Sequence, residues 1–311
     1  MNLSLILPVR NGEPFVDSSI RAIQKMAGLD DEIIIIDDGS TDGTSEKLLR
    51  FQKYDSRFQI VPSGNLGLVA SLNLGLSLAS NKFAARFDID DHYASDRLNI
   101  QRAALEKDPV AIFSDYVCWN NDFSKSLGRI PSAVTPESTY LSLISSSRTP
   151  HPSVIINVHA AKEVGGYLSD EFLAEDLSLW LRMAKLGQII SIPKPLLNYR
   201  ISSKSITSEN QLKMRTMKNV VLERYPIPKS VFEFVIENFH HILDEYKDYE
   251  EVNRRSLLLL RDLFTYQNRH LIKDLRLRKL LVRYLSANFS AAVGQTLQMG
   301  FEKKLRSISR R

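Results

Sequence analysis

Two carboxylates one residue apart, Asp88 and Asp90, are the sharpest chemical signal in the chain. At the end of a buried strand such a pair can converge on one hard divalent cation, Mn²⁺ or Mg²⁺, which prefers oxygen ligands and accepts a phosphate as a further partner. The spacing alone is common and also serves to cap loops. Context favours the metal: Asp91 follows directly, and Asp37-Asp38 ends a second apolar run. A third acidic pair, Glu175-Asp176, opens an apolar helical stretch, where first-turn acids are favoured by the positive helix end in any case. His240-His241 lacks the spacing of a metal site. The single cysteine, Cys118, excludes an intramolecular disulfide or a cysteine-rich zinc centre and reads as a small packed residue.

The elements that must position these groups alternate. Residues 3–9 form a short apolar run ended by an Asn-Gly turn signal, a helical pattern follows over about 14–27, and Glu32 to Ile36 brings four consecutive isoleucines. Such continuous apolarity suits a parallel strand covered on both faces. A helix over 42–54, a strand over 58–61, a helix over 68–79 and a strand over 82–87 repeat the pattern, and the last strand runs straight into Asp88. A helix over 95–107 and a strand over 110–117 follow. The expected fold is α/β, a doubly wound, mainly parallel, Rossmann-like sheet. In such sheets ligands bind outside the carboxyl ends of the strands, where the aspartates cluster. From 120 to 160 the signals weaken into loops with one strand, 153–158, before a short helix at 159–164 and another at 175–186. Beyond 209 the chain reads as helical.

With 311 residues, 43% apolar and 25% charged, the composition is that of an ordinary globular protein and excludes disorder and fibrous repeats. Charge is uneven: residues 210–311 hold 20 Lys+Arg against 11 Asp+Glu, which gives that region +9 and leaves −4 for the rest. An acidic body with a basic tail points to a metal-using part joined to something that meets anions. No apolar run approaches the roughly 18 residues that span a bilayer, and the first ten residues do not have the order of a signal peptide, so a cytoplasmic location is expected. Residues 269–285 segregate partly into a leucine side and a Lys/Arg side, which fits a packed helix with a solvated face or one lying on an anionic membrane. Aromatics suited to base stacking are sparse there, so nucleic acid is not an expected partner.

In order along the chain stand Leu5-Ile6-Leu7-Pro8-Val9-Arg10-Asn11, IIIIDDGSTDGT over 33–44, Asn65-x-Gly67 with Asn73-x-Gly75, Arg86-Phe87-Asp88-Ile89-Asp90-Asp91, and Glu175-Asp176. Together they resemble the family 2 glycosyltransferases, inverting enzymes of GT-A fold, over residues 1 to about 206. The resemblance implies a glycosyltransferase domain over 1–208, with a nucleotide-sugar-binding half at 1–117 and an acceptor-binding half at 118–208, followed by the helical basic region 209–311. It assigns Pro8, Arg10, Asn11, Asp37, Asp38 and Asn65 to the nucleotide pocket. Asp38 is the expected contact to the base, while Asp37 is either a second contact or structural. Asp90 becomes the direct ligand of Mn²⁺ or Mg²⁺, with Asp88 nearer the ribose or the metal. Direct displacement with inversion needs a base for the acceptor hydroxyl; Asp176 matches it, and Glu175 is its neighbour. His151, Trp180 and Arg200 match acceptor or diphosphate contacts more loosely, Trp180 being either core or a sugar platform. Many members carry a histidine two residues after the arginine, where Ser202 stands here; Lys204 is a candidate phosphate contact in its place.

The activity implied is transfer from a nucleotide-sugar donor, most plausibly a UDP-sugar, to a hydroxyl of a glycan or lipid-linked acceptor in surface polysaccharide assembly, O-antigen or exopolysaccharide. Peripheral contact with the inner face of the cell membrane and a homodimer through the tail are compatible with this reading. Two alternatives stand beside it. A sugar nucleotidyltransferase would need a glycine-rich phosphate loop after the first strand, a form that Pro8-Val9-Arg10-Asn11-Gly12 lacks. A non-catalytic nucleotide-sugar or glycan scaffold would not need Asp38, Asp88, Asp90 and Asp176 together.

Overall fold

The computed structural model describes residues 1–132, 139, 142–143, 149–203 and 205–226. Contacts divide the chain into two units, Met1–Val221 and Leu222–Arg311. The amphipathic stretch 269–285 and Lys204 lie outside the described residues.

The first unit opens with β1 (Leu3–Val9), α1 (Glu13–Met26), β2 (Glu32–Asp37), α2 (Thr44–Tyr54), β3 (Phe58–Pro62), α3 (Leu68–Leu78) and β4 (Phe83–Arg86). β1 is buried along its whole length and pairs in parallel with β2 on one side and β4 on the other, while β3 extends the parallel set beyond β2. Leu5, Leu7, Ile33, Ile35, Phe83 and Ala85 face Val16, Ile20 and Ile23 of α1 in a core without solvent exposure beyond about a percent. α3 approaches the sheet so closely that a Cβ on Gly75 would stand 2.5 Å from Ile6 Cγ2, which gives the Asn73-x-Gly75 pattern a packing reason.

Beyond β4 the sheet becomes mixed. It continues through β5 (His92–Tyr93), α4 (Arg97–Ala104), β6 (Ala111–Trp119), β7 (Ser126–Ile130), β8 (Ile155–Asn157), α5 (Val158–Glu163), α6 (Glu175–Met183), β9 (Ile189–Arg200), α7 (Ile206–Glu209) and α8 (Gln211–Arg224). The strand order is β3-β2-β1-β4-β8-β6-β9-β5, with β7 paired to β6. β8 runs antiparallel between β4 and β6, and β9 is parallel to β6. The expected loop region 120–160 therefore contains a second strand, β7, which its mostly exposed residues hide from any alternation pattern. β9 is hidden for a different reason. It contains Pro193 and Pro195, which donate no ladder hydrogen bond and fall where the β6–β9 register shifts. The helix expected over 95–107 ends earlier, at Ala104, followed by a 3-10 turn to Lys107 and a left-handed Asp108.

Candidate active site

β4 delivers the Asp88-x-Asp90 turn to the carboxyl end of the sheet. The Asp88 backbone N–H donates to Tyr93 Oη at 2.7 Å, and the Asp88 carboxylate pairs with Arg86 Nη2 at 2.8 Å. Asp90 Oδ2 pairs with Arg200 Nη2 at 2.5 Å, Arg200 Nε donates to the Asp90 carbonyl at 3.1 Å, and the Arg200 N–H donates to Asp91 Oδ1 at 2.8 Å. The Arg200 guanidinium also lies 4.5 Å from the Phe15 ring centroid. Arginine from β9 is therefore held against the aspartate turn rather than free at a domain end. Burial and the Asp88 charge push Asp90 above the ordinary carboxylate range, with Arg200 opposing. Asp91 is pushed further, by burial first and Asp88 second; its Oδ2 is buried without a hydrogen-bond partner.

Asp88 and Asp90 offer hard oxygen donors, so their chemistry fits Mn²⁺ or Mg²⁺. Among the described residues no group of three or more His, Cys, Asp and Glu side chains is arranged to hold a metal. A cation here would need further oxygens from a phosphate or water.

The residues expected in the nucleotide pocket lie together along the ends of β1, β2 and β3. Pro8 sits within β1 opposite Ile36, and Arg10 Nη1 donates to Asn65 Oδ1 at 2.5 Å. Asn11, with left-handed φ of 51°, accepts the Thr41 N–H on Oδ1 at 2.8 Å. Asp37 accepts the Ser40 N–H and the Ser45 hydroxyl. Asp38 grips the 63–67 loop: Oδ1 accepts Ser63 Oγ at 2.9 Å and the Leu66 N–H at 2.6 Å, and Oδ2 accepts the Gly67 N–H at 2.9 Å. Both aspartates organise loops, and Asp38 Oδ2 retains a free acceptor position, since each carboxylate oxygen can take two donors.

The second acidic pair opens α6. Glu175 Oε2 accepts the N–H of Leu173, a residue in the left-handed region at φ 79°, and Asp176 Oδ1 accepts the Leu177 N–H at 2.6 Å. Burial first, and the Asp176 charge second, raise Glu175 to about 7. Asp176 is raised by burial, while the Leu177 N–H, Arg86 and Lys218 of α8 pull the other way. The fully buried Glu171 anchors the first turn through the Ser178 hydroxyl. Arg86 faces both acidic motifs. It is 7% exposed, its charge acts on Asp88, Glu175 and Asp176 alike, and its Nε and Nη1 have no hydrogen-bond partner. The charge of this one guanidinium reaches both carboxylate pairs that the chain separates.

His151 Nε2 lies 2.8 Å from Tyr167 Oη, and burial with the nearby Arg86 charge holds the imidazole neutral, well below its ordinary value. Tyr167 is held in turn by α3: its N–H donates to Asn73 Oδ1 at 2.9 Å and its carbonyl accepts Asn73 Nδ2 at 2.8 Å. Trp180 is core and not a sugar platform. It is 1% exposed, edge-on to Phe113 at 5.3 Å and to His151 at 5.6 Å, so no sugar ring can stack on it. The clamp of Asn73, the role of Arg86 and the buried Arg97 go unassigned by the sequence; the i,i+4 pair Arg97-x-x-x-Gln101 is the signal that could have drawn attention to the last.

Two stability predictions follow from this geometry. Gly166 has φ +67°, and an added Cβ would stand 2.5 Å from Asn73 Oδ1. Gly166→Ala should therefore cost about 1–3 kcal/mol, read as a lower melting temperature; an unchanged one would mean that Asn73 swings aside freely. Glu175 has an ordinary value of 4.5 and about 7 in the folded chain. Its contribution is thus full below pH 4.5 and lost as the pH rises through 7. Glu175→Gln should gain stability relative to the unmodified protein between pH 5 and pH 8 in denaturant titrations, and a constant difference across that window would contradict the assignment.

Known proteins are similar to this chain in sequence and in fold. Residues 4–156 match Glycosyl transferase family 2. An uncharacterized glycosyltransferase of Haemophilus influenzae is 26% identical over 260 residues, 78% of this chain and 80% of the relative. The Escherichia coli UDP-Glc:alpha-D-GlcNAc-diphosphoundecaprenol beta-1,3-glucosyltransferase WfgD is 27% identical over 225 residues, 70% of this chain and 85% of its own. Matches to three Rickettsia glycosyltransferases cover only 30–33% of those longer proteins. Among solved structures, Staphylococcus aureus TarS 1–349 in complex with UDP-GlcNAc superposes with a TM-score of 0.60 at 14% identity, covering 92% of this chain and 80% of TarS 1–349. The mannosyltransferase PcManGT of Pyrobaculum calidifontis, in complex with GDP-Man and Mn²⁺, gives 0.58 at 15%, covering 99% and 85%. With the ordered motifs, the mixed sheet and these matches on the page, residues 4–156 belong to glycosyl transferase family 2, and the chain has the GT-A fold.

Proposed function

We propose that the protein transfers a sugar, with inversion, from a UDP-sugar to a hydroxyl of a lipid-linked glycan during surface polysaccharide assembly. The observation that carries this reading is that the buried Arg86 pairs with Asp88 and that its charge also reaches Glu175 and Asp176. One motif suits a nucleoside diphosphate and the other an incoming hydroxyl. In the proposed reaction Asp176 takes the hydroxyl proton as the acceptor oxygen bonds to the anomeric carbon, and the bond from that carbon to the diphosphate oxygen breaks on the opposite face. Pro8, Arg10, Asn11, Asp37, Asp38 and Asn65 line the nucleotide end. Asp90 and Asp88 would hold Mn²⁺ or Mg²⁺, which when bound offsets the charge growing on the leaving diphosphate. Arg200 orients Asp90, and His151, neutral beside Tyr167, presents a polar face to the acceptor side.

Relatives support the substrate classes. The name of the E. coli enzyme gives UDP-Glc and a diphosphoundecaprenol-linked GlcNAc, and TarS binds UDP-GlcNAc. PcManGT was solved with GDP-Man and Mn²⁺, so the base remains a variable to test. Among the described residues no helix is long and apolar enough to cross a membrane. The basic region after 209 would bring the protein to an anionic surface where a lipid-linked acceptor lies.

The deciding experiment is calorimetric titration with UDP- and GDP-sugars, each with Mn²⁺ and then with EDTA. Metal-dependent binding of one donor is expected; no binding to any would favour the non-catalytic scaffold. Transfer should also rise with pH as Glu175, raised to about 7, and its neighbour Asp176, raised by burial, lose their protons. A rate flat from pH 5 to 8 would exclude this pair as the base.

A further inference from the structure

Arg97, at the start of α4, has no exposed surface, yet no carboxylate lies within ion-pair distance of it among the described residues. Its guanidinium lies 4.3 Å from the Phe87 ring centroid and 4.7 Å from that of Tyr93. Nη2 donates to the carbonyls of Arg86 at 3.0 Å and Val154 at 3.4 Å, and Nε donates to Gln101 Oε1 at 2.9 Å. Gln101 continues the link, with Nε2 donating to the Ser153 carbonyl at 2.8 Å. The Tyr93 ring under the guanidinium is the one whose hydroxyl accepts the Asp88 N–H.

A buried cation with no carboxylate within ion-pair distance is costly even with the Asp91 charge acting on it from farther away, and an apolar side chain of similar volume would fill the space more cheaply. What an apolar residue could not do is bond two backbone carbonyls from different segments at once. One carbonyl belongs to the strand end that carries Asp88, the other to the segment that carries His151. We infer that Arg97, extended by Gln101, is a positioning residue that locks the Asp88 turn to the 151–154 segment, so that the metal side and the acceptor side of the site hold one fixed geometry. The chemical meaning of those two sides rests on the function proposed above; the lock itself does not.

The test compares R97K with R102K in the full chain. Arg102 is on the same helix and pairs with Asp31, away from the site, so its variant reports general loss of packing. Hydrogen exchange should show that R97K loosens the segments 86–93 and 151–156 together, while R102K loosens neither. Calorimetry should show R97K binding UDP with Mn²⁺ at least tenfold more weakly, with R102K unchanged even where its melting temperature falls. If R97K does not fold, Q101L, which removes no charge, should loosen the 151–156 segment and weaken binding by a smaller factor. A fall in melting temperature with protection and affinity both intact, or loosening of only one segment in R97K, would overturn the inference. If the unmodified protein binds neither UDP nor GDP with Mn²⁺, the transferase reading fails, and the exchange result alone decides whether the lock exists.

Discussion

Asp176→Asn should lower transfer by about 10³-fold or more while leaving the affinity for the donor with Mn²⁺ within about twofold. The amide is nearly isosteric with the carboxylate, and its oxygen can still accept the Leu177 N–H that fixes Asp176 at the first turn of α6. What disappears is the ability to take a proton, which is worth roughly 10²–10⁴ in rate for a positioned base. Binding should survive because the residues proposed for the nucleotide, from Pro8 to Asn65 and Asp88 to Asp90, lie on other elements. Glu175→Gln should act more mildly, since its carboxylate already accepts the Leu173 N–H and shapes the turn rather than facing a substrate alone. Transfer assays beside calorimetry separate the two effects. Near-normal transfer by the Asp176→Asn variant would assign the base elsewhere.

Asp90→Ala should produce the complementary failure, with donor affinity in Mn²⁺ reduced about 10²-fold and transfer lost with it. A tenfold change corresponds to about 1.4 kcal/mol, so this loss amounts to about 3 kcal/mol, in keeping with a metal that contributes several kcal/mol of charge stabilisation. The truncation also leaves Arg200 Nη2 without its carboxylate, while Nε keeps the Asp90 carbonyl and Nη1 keeps Asn121 Oδ1. That Nη2 can donate to a diphosphate directly. The variant should therefore keep a weak donor affinity that is the same in Mn²⁺ and in EDTA, whereas the unmodified protein loses binding on chelation. An Asp90→Ala protein whose binding still depends on Mn²⁺ would place the metal on other ligands.

Much of the fold was legible because its core strands are almost wholly apolar. β1 and β2 are buried on both faces, so Ser4 is the one polar position in the runs Leu3–Val9 and Ile33–Ile36. The acidic motifs were legible for a related reason: each borders an apolar run, after it at a strand end or before it at the first turn of a helix. Strands with weaker local signals escaped. β7 is exposed, and β9 carries two prolines that only a register shift against β6 accommodates.

Residue types and spacing, then, determined by themselves that this is an α/β chain with carboxylates at the strand ends and an acidic pair opening a late helix. The tertiary structure alone decided which cation meets which carboxylate, that Trp180 is sealed under His151 and Phe113, and that Arg97 bonds the carbonyls of Arg86 and Val154. Apolar periodicity is a local property, fixed by neighbours a few positions away and readable along the chain. The partner of a buried charge is chosen among groups anywhere from two to more than a hundred positions distant, by whichever packing leaves the fewest charges and hydrogen-bonding atoms unmatched away from water.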